Sequence, residues 1–441
     1  MKIPSRTLHP FFLVVFIFMI LIFLIFQTRT TREREYFCKD CNVILVVITP
    51  LRADHLGSYG YQKNVSPNID EFAKENILFN NFYSHITYTI ASEPSIFTGL
   101  YPFNHKVYTA NDSLDISLYT LPRVMHAYGY ATAAIVGHHL LQQKYLGNHF
   151  DYYTVPPICP PGQLIGDNCN RDRRSEKTIP DAENWINENM KKKFFLYIES
   201  ADVHCPTPFG EADPDTAYNL CDFNLNAGNI STSLLSDAMG TYDKNIEKVD
   251  LNFNNLLLFL KNKGLYNNTI IIFMGDHGEA FGEHGEFAHP TPPYAEQVRV
   301  PFIIHIPGFG PEIMNNQAQI VDVMPTILNI LNMTIPQDVD GKSLVPMMLN
   351  NNTPIDAYTY SEFQGRNFTF AFRNNSLEIL FSGNRYELYN LTCDRSEKND
   401  IFQSHKTIGF SMLQAMQEWK NKTQKQITIE PTISPHLIGY P

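Results

Sequence analysis

The sequence predicts an α/β fold: a sheet of buried strands flanked by helices, followed by a small C-terminal antiparallel sheet with a covering helix. Three observations predict it. Apolar, β-branched runs of strand length at residues 43–48, 194–200 and 270–274 each end in polar residues, as strands covered on both faces do. Segments of helical periodicity separate them and supply crossovers for parallel pairing. From about Pro354 the pattern shifts to short runs at 368–372, 377–381 and 386–389, then a helix over 411–420, which reads as a second subdomain.

In chain order, 11–26 (FFLVVFIFMILIFLIF) is wholly apolar and is preceded by Lys2, Arg6 and His9. It is short for a hydrocarbon core of ~30 Å, but flanking residues extend it. The competing reading is a cleaved signal peptide; QTRTTRERE follows with no small-residue cleavage pattern, so an uncleaved signal anchor is expected. The expected divisions are a cytoplasmic tail (1–10), a transmembrane signal anchor (11–26), a linker (27–41), a main domain (42–353), a C-terminal subdomain (354–425) and a tail (426–441). Arginines on both sides of the span leave orientation to other features. Sequons at Asn64, Asn229, Asn267, Asn332, Asn367, Asn390 and Asn421 point outside the cytosol. So do the cysteines: Cys38 with Cys41, and Cys159 with Cys169, suit local disulfides, a zinc site being the alternative for the first pair. Among 441 residues, 44% are hydrophobic and the net charge is -11, which suits a globular, membrane-anchored glycoprotein and argues against nucleic acid as a partner.

The first strand, 43–48, ends at Thr49. A helix over 66–76 has Ser66 near its cap. Residues 79–85 lead to TYTIASEPSIFTGLYP, which turns helical around Thr89. A hydroxyl at a helix start is a candidate nucleophile, since the terminus favours anionic oxygens; the alternative is that Thr89 only caps the helix. A helix over 121–128 and a strand over 131–136 form a further repeat. Residues 155–180 read as a Pro/Gly/Cys-rich surface insertion. The strand 194–200 delivers Asp202 and His204 to the same sheet edge. A long amphipathic helix, 237–263, carries Tyr242, Asp243, Glu247 and Asp250, charges read as mostly a solvated face. After it come the 270–289 stretch, a strand at 300–306 and a helix at 321–331.

The stretch IIIFMGDHGEAFGEHGEFAH (270–289) carries the densest chemistry. A buried strand delivers Asp276 and His277 to its carboxyl end, where open α/β sheets bind ligands. With His284 and His289 following, the segment offers oxygen and nitrogen donors for a divalent cation; a polar loop of satisfied histidines is the alternative.

These blocks, NVILVVITPLRADHLGSYGY, TIASEPSIFTGLYPFNH, IIFMGDHGEAFGEHG, YAEQVRVPFIIHIPG and ELYNLTCDRSEKNDI among them, occur in an order that resembles the sulfatase family of the alkaline phosphatase superfamily. The resemblance runs from about Asn42 to Phe402. It implies an alkaline-phosphatase-like mixed sheet flanked by helices, with a four-stranded C-terminal sheet. It also implies a divalent metal (calcium, zinc, magnesium or manganese) at Asp276 and His277, with Thr89 and Thr49 beside them, a nucleophile at Thr89 and a substrate-side His204. His289 falls near the family's substrate-binding Lys or second-metal His, and Asp202 and His138 match less closely.

Three departures shape the expected function. The family pattern CxPSR reads Thr89, Ile90, Ala91, Ser92 and Glu93 here, so no formylglycine can form. GKWHLG reads GHHLL from Gly137, without its lysine. The strand-one carboxylate is replaced by Thr49, with Asp54 as a substitute to consider. Two hypotheses follow. One is an anchored, metal-dependent hydrolase or transferase acting on a sulfated or phosphorylated glycan, lipid or small-molecule ester outside the cytosol. The other is a catalytically impaired relative with a binding or structural role.

Overall fold

The computed structural model describes residues 18–21, 38–142, 146–157, 173–204, 231–350, 353–364, 368–382 and 384–424. Most of the expected anchor, and Cys159 with Cys169, lie outside them. No helix among the described residues is long and apolar enough to cross a membrane.

The strands are β1 (Asn42–Ile48), β2 (Ile77–Phe79), β3 (Phe82–Tyr83), β4 (Ala131–Ile135), β5 (Tyr152–Thr154), β6 (Phe194–Ser200), β7 (Thr269–Gly275), β8 (Ala280–Phe281), β9 (Phe287–Ala288), β10 (Phe302–His305), β11 (Glu312–Met314), β12 (Ala318–Gln319), β13 (Thr359–Gln364), β14 (Phe368–Arg373), β15 (Leu377–Ser382) and β16 (Arg385–Asn390). Eight of them form the main sheet in the order β11-β2-β10-β7-β1-β6-β4-β5. β1 lies parallel between β7 and β6, with Ile48 opposite both Gly275 and Ser200. Three carboxyl ends therefore finish level, and Thr49, Asp276 and the 201–204 segment leave the sheet side by side. β10 runs antiparallel to β7 and to β2, which makes the sheet mixed.

The apolar runs bury both faces of the sheet. Val43, Leu45 and Val47 join a core with Phe97, Phe302 and Met324, while Ile44, Val46 and Ile48 join another with Trp185, Ile246 and Phe253. Each such side chain contributes roughly 1.5–3 kcal/mol, so the central strand is the part of the frame least tolerant of truncation.

The long helix spans Thr232–Asn262, and its charges correct the solvated-face reading. Asp250 is 3% exposed and accepts from the backbone N–H groups of Asn68 (2.9 Å) and Ile69 (2.7 Å), the first turn of the Pro67–Glu75 helix. It takes the place expected of Ser66, whose side chain makes no capping bond to that helix. Asp243 accepts from Tyr61 and Lys63 and pairs with His55 at 2.9 Å. These two carboxylates tie the segment after β1 to the long helix.

Other boundaries differ locally. Residues 79–85 hold the end of β2 and the whole of β3, and the expected 155–180 insertion gives way at its end to a helix, Ser175–Asn189. Cys38 and Cys41 are joined by a disulfide, as expected. β13 to β16 form an antiparallel sheet in sequence order, covered by the Lys406–Thr423 helix, whose Trp419 packs against Tyr101, Tyr360 and Phe372.

Candidate active site

Thr49, Thr89, Asp276 and His277 converge at the ends of β1 and β7. Backbone bonds set the register: Thr49 N–H donates to Ser200 O (3.1 Å), and Leu51 N–H donates to His277 O (2.8 Å). Thr89 is the first residue of the buried Thr89–Thr98 helix, with Tyr88 before it at the cap position, and its hydroxyl bonds side chains outside the helix. Its hydroxyl lies 3.0 Å from Nε2 of His277 and 3.0 Å from Oγ1 of Thr49. Thr49 donates to Asp276 Oδ2 at 3.0 Å. One turn along, Ser92 Oγ donates to the Asp276 carbonyl at 2.9 Å and pins the helix to the strand end. Gly278 lets the loop pass beneath this cluster, since a Cβ there would run into the Glu296 carbonyl.

The protons can be assigned. Nδ1 of His277 lies 2.9 Å from the Gly278 carbonyl, which only accepts, so Nδ1 carries hydrogen and Nε2 of the neutral ring accepts from Thr89. Burial holds the ring at a pKa of about 4 despite the Asp276 charge, and burial raises Asp276. The Thr89 proton thus goes to His277 and the Thr49 proton to Asp276. The two hydroxyl oxygens then face each other at 3.0 Å, lone pair to lone pair.

That arrangement fits a divalent cation. Donor atoms on Thr49, Thr89, Asp276 and His277 lie 3.0–3.6 Å from their neighbours, the spacing of adjacent ligands around one ion, and a cation would relieve the facing lone pairs. The four-residue set holds one carboxylate. Nε2 of His277 can serve a cation or the Thr89 proton, not both at once.

A series of imidazoles extends outward. The rings of His277 and His289 are 4.6 Å apart, His289 and His204 5.0 Å, and His204 and His138 4.8 Å. Nδ1 of His289 is 3.0 Å from Oε1 of Glu279. Burial raises Glu279 to about 8 and lowers His289 to about 4, so the shared proton rests on Glu279, and Nε2 of His289 is left as a donor. Glu279 was not singled out in the sequence; its signal was its place between the Asp-His pair and His289.

Three expected residues are elsewhere. Asp202 accepts from Ser175 N–H and Oγ, both at 2.7 Å, and holds the start of the Ser175–Asn189 helix. Asp54 pairs with Arg52 at 2.8 Å and does not replace the missing carboxylate. His284 turns away at a φ of 52° and bonds Glu296 Oε1 (2.8 Å) and the Glu397 carbonyl (2.9 Å). His284, Glu296 and Glu397 bring ligand-type atoms within 4.8 Å. They do not make a metal centre: the carbonyl requires a proton on Nε2, and although burial opposes it, the bond to Glu296 raises the ring's pKa. The result is an ion pair with Glu296 and a bond that ties this loop to the segment after β16. A cavity of about 560 Å³ beside it is lined by Arg52, His284, Tyr294, Glu296 and Arg385, and by none of the four converging residues.

Comparison with known proteins agrees with this architecture. A family profile described as Sulfatase matches residues 41–333, and one described as N-sulphoglucosamine sulphohydrolase, C-terminal, matches 282–426. The chain is 26% identical to an arylsulfatase of Clostridium perfringens over 73% of this chain and 81% of that protein. It is 25% identical to the N-acetylgalactosamine-6-sulfatase of Rattus norvegicus over 70% of this chain and 66% of that one. A solved 2-O GAG sulfatase superposes with a TM-score of 0.74 at 17% identity, over 88% of this chain and 93% of that one. The phosphonate monoester hydrolase of Agrobacterium radiobacter superposes with a TM-score of 0.72 at 19% identity, over 87% and 96%. The profile covers well over half of the chain and the same mixed sheet carries the site, so the chain belongs to the sulfatase family of the alkaline phosphatase superfamily, a family of sulfuric ester hydrolases.

Proposed function

We propose that this protein is a membrane-anchored, metal-dependent ester hydrolase or transferase that acts outside the cytosol on a sulfated or phosphorylated glycan, lipid or small-molecule ester, with Thr89 as nucleophile. The observation that carries the reading is the Thr89 hydroxyl: it stands at the first position of a buried helix and donates to His277 Nε2 at 3.0 Å. The sulfated-glycan substrates named for the rat relative and the solved 2-O GAG sulfatase support the substrate class.

Thr49, Thr89, Asp276 and His277 would hold the cation, which when bound supplies charge neutralisation for the ester's nonbridging oxygens and acidifies the Thr89 hydroxyl. Thr89 Oγ1 forms a bond to sulfur or phosphorus as the bond to the leaving oxygen breaks. The proton that Thr89 gives up has Nε2 of His277 as its nearest base, or the outer histidines when that nitrogen is occupied. The leaving oxygen takes a proton from His289 or His204. Water attacking the resulting threonine ester completes hydrolysis and restores the hydroxyl. A threonine ester cannot release its group through an aldehyde hydrate, so phosphodiesters are the first substrates to test. Turnover lost in Thr89→Ala and kept in wild type supports the reading; turnover equal in both overturns it.

One observation favours a second reading, a catalytically impaired surface protein: Thr49 stands where the family pattern has a carboxylate. Cation binding by wild type separates the two. The location rests on exposed sequon asparagines at positions 64, 267, 332 and 421, on the Cys38–Cys41 disulfide and on the apolar 11–26 run. Digestion of the large domain by protease added to intact cells is the expected result; protection until lysis reverses it.

A further inference from the structure

We propose that the cavity between the 315–317 segment, the β14–β15 turn and the segment after β16 is a second binding site, one that takes an anionic saccharide: a sugar unit carrying sulfate or carboxylate. The cavity measures about 330 Å³, a size at which small-ligand sites are found. Asn81, Asn315, Gln317, Asn374 and Asn375 line it with side-chain amides. Arg299 and Arg395 line it too, and both also line the 560 Å³ cavity beside His284, so the two spaces adjoin. Neither space is lined by Thr49, Thr89, Asp276, His277, His204 or His289.

The amides suit sugar hydroxyls, because each offers a donor and an acceptor. Nδ2 of Asn81 donates to the Asn315 carbonyl at 2.7 Å and Oδ1 of Asn315 accepts from Asn80 at 3.2 Å, which leaves Oδ1 of Asn81 and Nδ2 of Asn315 uncommitted among the described residues. Gln317 is 2% exposed, and neither polar atom of its side chain has a partner. A buried amide in that state is costly, and a hydroxyl bound in the cavity that Gln317 lines relieves the cost. The anion follows from the charges. Every carboxylate on the two cavities is committed: Asp54 and Glu283 to Arg52, Glu296 to His284, Glu397 to the Ala295 N–H, and Asp400 to the N–H groups of Leu388 and Phe402. Several cations are not. Arg299 bonds the Asn80 carbonyl rather than a carboxylate, and the side chains of Arg395 and Lys398 have no hydrogen-bond or ion-pair partner among the described residues. In a chain of net charge -11, three basic groups without a carboxylate at one place draw an anion there, and a free guanidinium fork matches sulfate or carboxylate.

The position extends the proposed active site, and to that extent the inference rests on the Thr89 reading. Ile303 lies opposite both Phe273 and Leu78, and Ile313 lies opposite Leu78, so β7, β2 and β11 run parallel and leave the sheet at one edge. Three residues on from Phe273 and Leu78 stand Asp276 and Asn81, two strand spacings or roughly 10 Å apart along that edge. A saccharide chain with its ester at Thr89 therefore reaches the Asn81 amide and Arg395 with a neighbouring charged sugar, whereas a lipid tail gains nothing from amides and cations. Of the three substrate classes proposed above, the site selects the glycan.

The test reads binding rather than turnover. The full chain carrying Thr89→Ala is titrated by calorimetry with a chondroitin sulfate tetrasaccharide, with a hyaluronan tetrasaccharide, which has carboxylates and no sulfate, and with neutral chitotetraose. A charged sugar is expected to bind at least ~10-fold more tightly than chitotetraose, and the two charged probes tell sulfate from carboxylate. Adding Arg395→Glu is expected to weaken that binding ~10-fold or more, since a charge-assisted bond is lost and a repulsion gained, with an unchanged thermal melt because Arg395 is exposed. Lys191→Glu, at an exposed position outside both cavities, makes the same change in net charge and is expected to bind as its parent does. Equal affinity in the Arg395→Glu and Lys191→Glu variants overturns the site, and so does chitotetraose bound as tightly as the charged sugars, or no binding of any of them. The Thr89 reading is judged apart from this, by turnover of a small ester: charged-sugar binding that Arg395→Glu weakens, with turnover equal in wild type and Thr89→Ala, keeps the binding site and overturns the catalytic reading.

Discussion

Nε2 of His277 and Oγ1 of Thr89 lie 3.0 Å apart, and the other nitrogen of the ring is committed to the Gly278 carbonyl. The imidazole therefore holds one tautomer and accepts from one hydroxyl. On the proposed reading of Thr89 as nucleophile, this contact draws its proton away, whereas a capping threonine turns its oxygen to the helix N–H groups.

Thr89→Ala and Asp276→Ala are each expected to abolish turnover of whichever ester the wild type cleaves, with near-native circular dichroism. Thr89→Ser is expected to keep measurable turnover, since it retains the hydroxyl. His289→Ala is expected to lower kcat by ~10²–10⁴-fold, the usual contribution of a positioned proton donor. Mass spectrometry of the peptide spanning Thr89 is expected to show unmodified threonine. An aldehyde there, or full activity in Thr89→Ala, would show that the chemistry lies at another residue.

Asp250→Ala is expected to lower the stability of the main domain by ~2 kcal/mol, because it removes the acceptor of two buried backbone N–H groups at a helix start. Glu247→Ala, at an exposed position on the same helix, is the control and is expected to change stability by less than ~0.5 kcal/mol. Urea midpoints of the two variants against wild type give the comparison. Equal midpoints in the two variants would mean that Ser66 or water takes over the cap.

The apolar runs placed β1, β6 and β7 within a residue or two, because a strand covered on both faces has little freedom in composition. The same runs say nothing about direction, and β10, which pairs antiparallel beside β7, reads like its parallel neighbours. Asp243 and Asp250 look like a solvated helix face because their burial depends on residues ~180 positions away, the 55–69 segment. His284 sits in GEHG, almost a copy of the GDHG around His277, yet a left-handed φ turns it to Glu296. Asp276, His277, Thr89 and Thr49 were legible because each lies where an apolar run stops or a helix begins. Glu279 was not, since a glutamate in a glycine-rich loop gives no sign that it is buried.

Acidification is expected to destabilise the fold through histidines that the structure holds neutral. Nε2 of His85 accepts from Val321 N–H at 3.2 Å, and Nδ1 of His105 accepts from Val107 N–H at 3.1 Å, so neither nitrogen can take a proton without losing its donor. Burial lowers both rings to about 3. The unfolded chain binds these protons near the ordinary histidine value of ~6.5 and the folded chain does not, so stability rises with pH across this window and falls as pH drops from ~6.5 toward 3. Each histidine contributes at most ~1.4 kcal/mol per pH unit and somewhat less near its unfolded value, so the pair removes roughly 2.5 kcal/mol between pH 6 and pH 5. Thermal melts across that interval give the slope, and a melting temperature that does not change between pH 6 and pH 5 would contradict the assignment.

Thr49→Asp tests the missing carboxylate directly. The Thr49 hydroxyl donates to Asp276 at 3.0 Å, so an aspartate here exchanges a donor for an anion beside a buried anion. Without metal the two charges repel, the fold loses some stability, and one of the acids is driven to hold a proton. With metal the same two charges bind the ion together, and binding to the folded state alone raises stability by mass action. The expected signature is therefore opposite in sign in the two conditions: a lower melting temperature than wild type in chelator, and a larger rise on adding calcium, magnesium, manganese or zinc. Affinity from calorimetry is expected to increase by ~10-fold or more, in line with the loss expected when a carboxylate ligand is removed. If Thr49→Asp instead binds the ion more weakly than wild type, the natural site is already complete with its hydroxyl, and the exchange of strand-one carboxylate for threonine is a rebuilt arrangement rather than a loss.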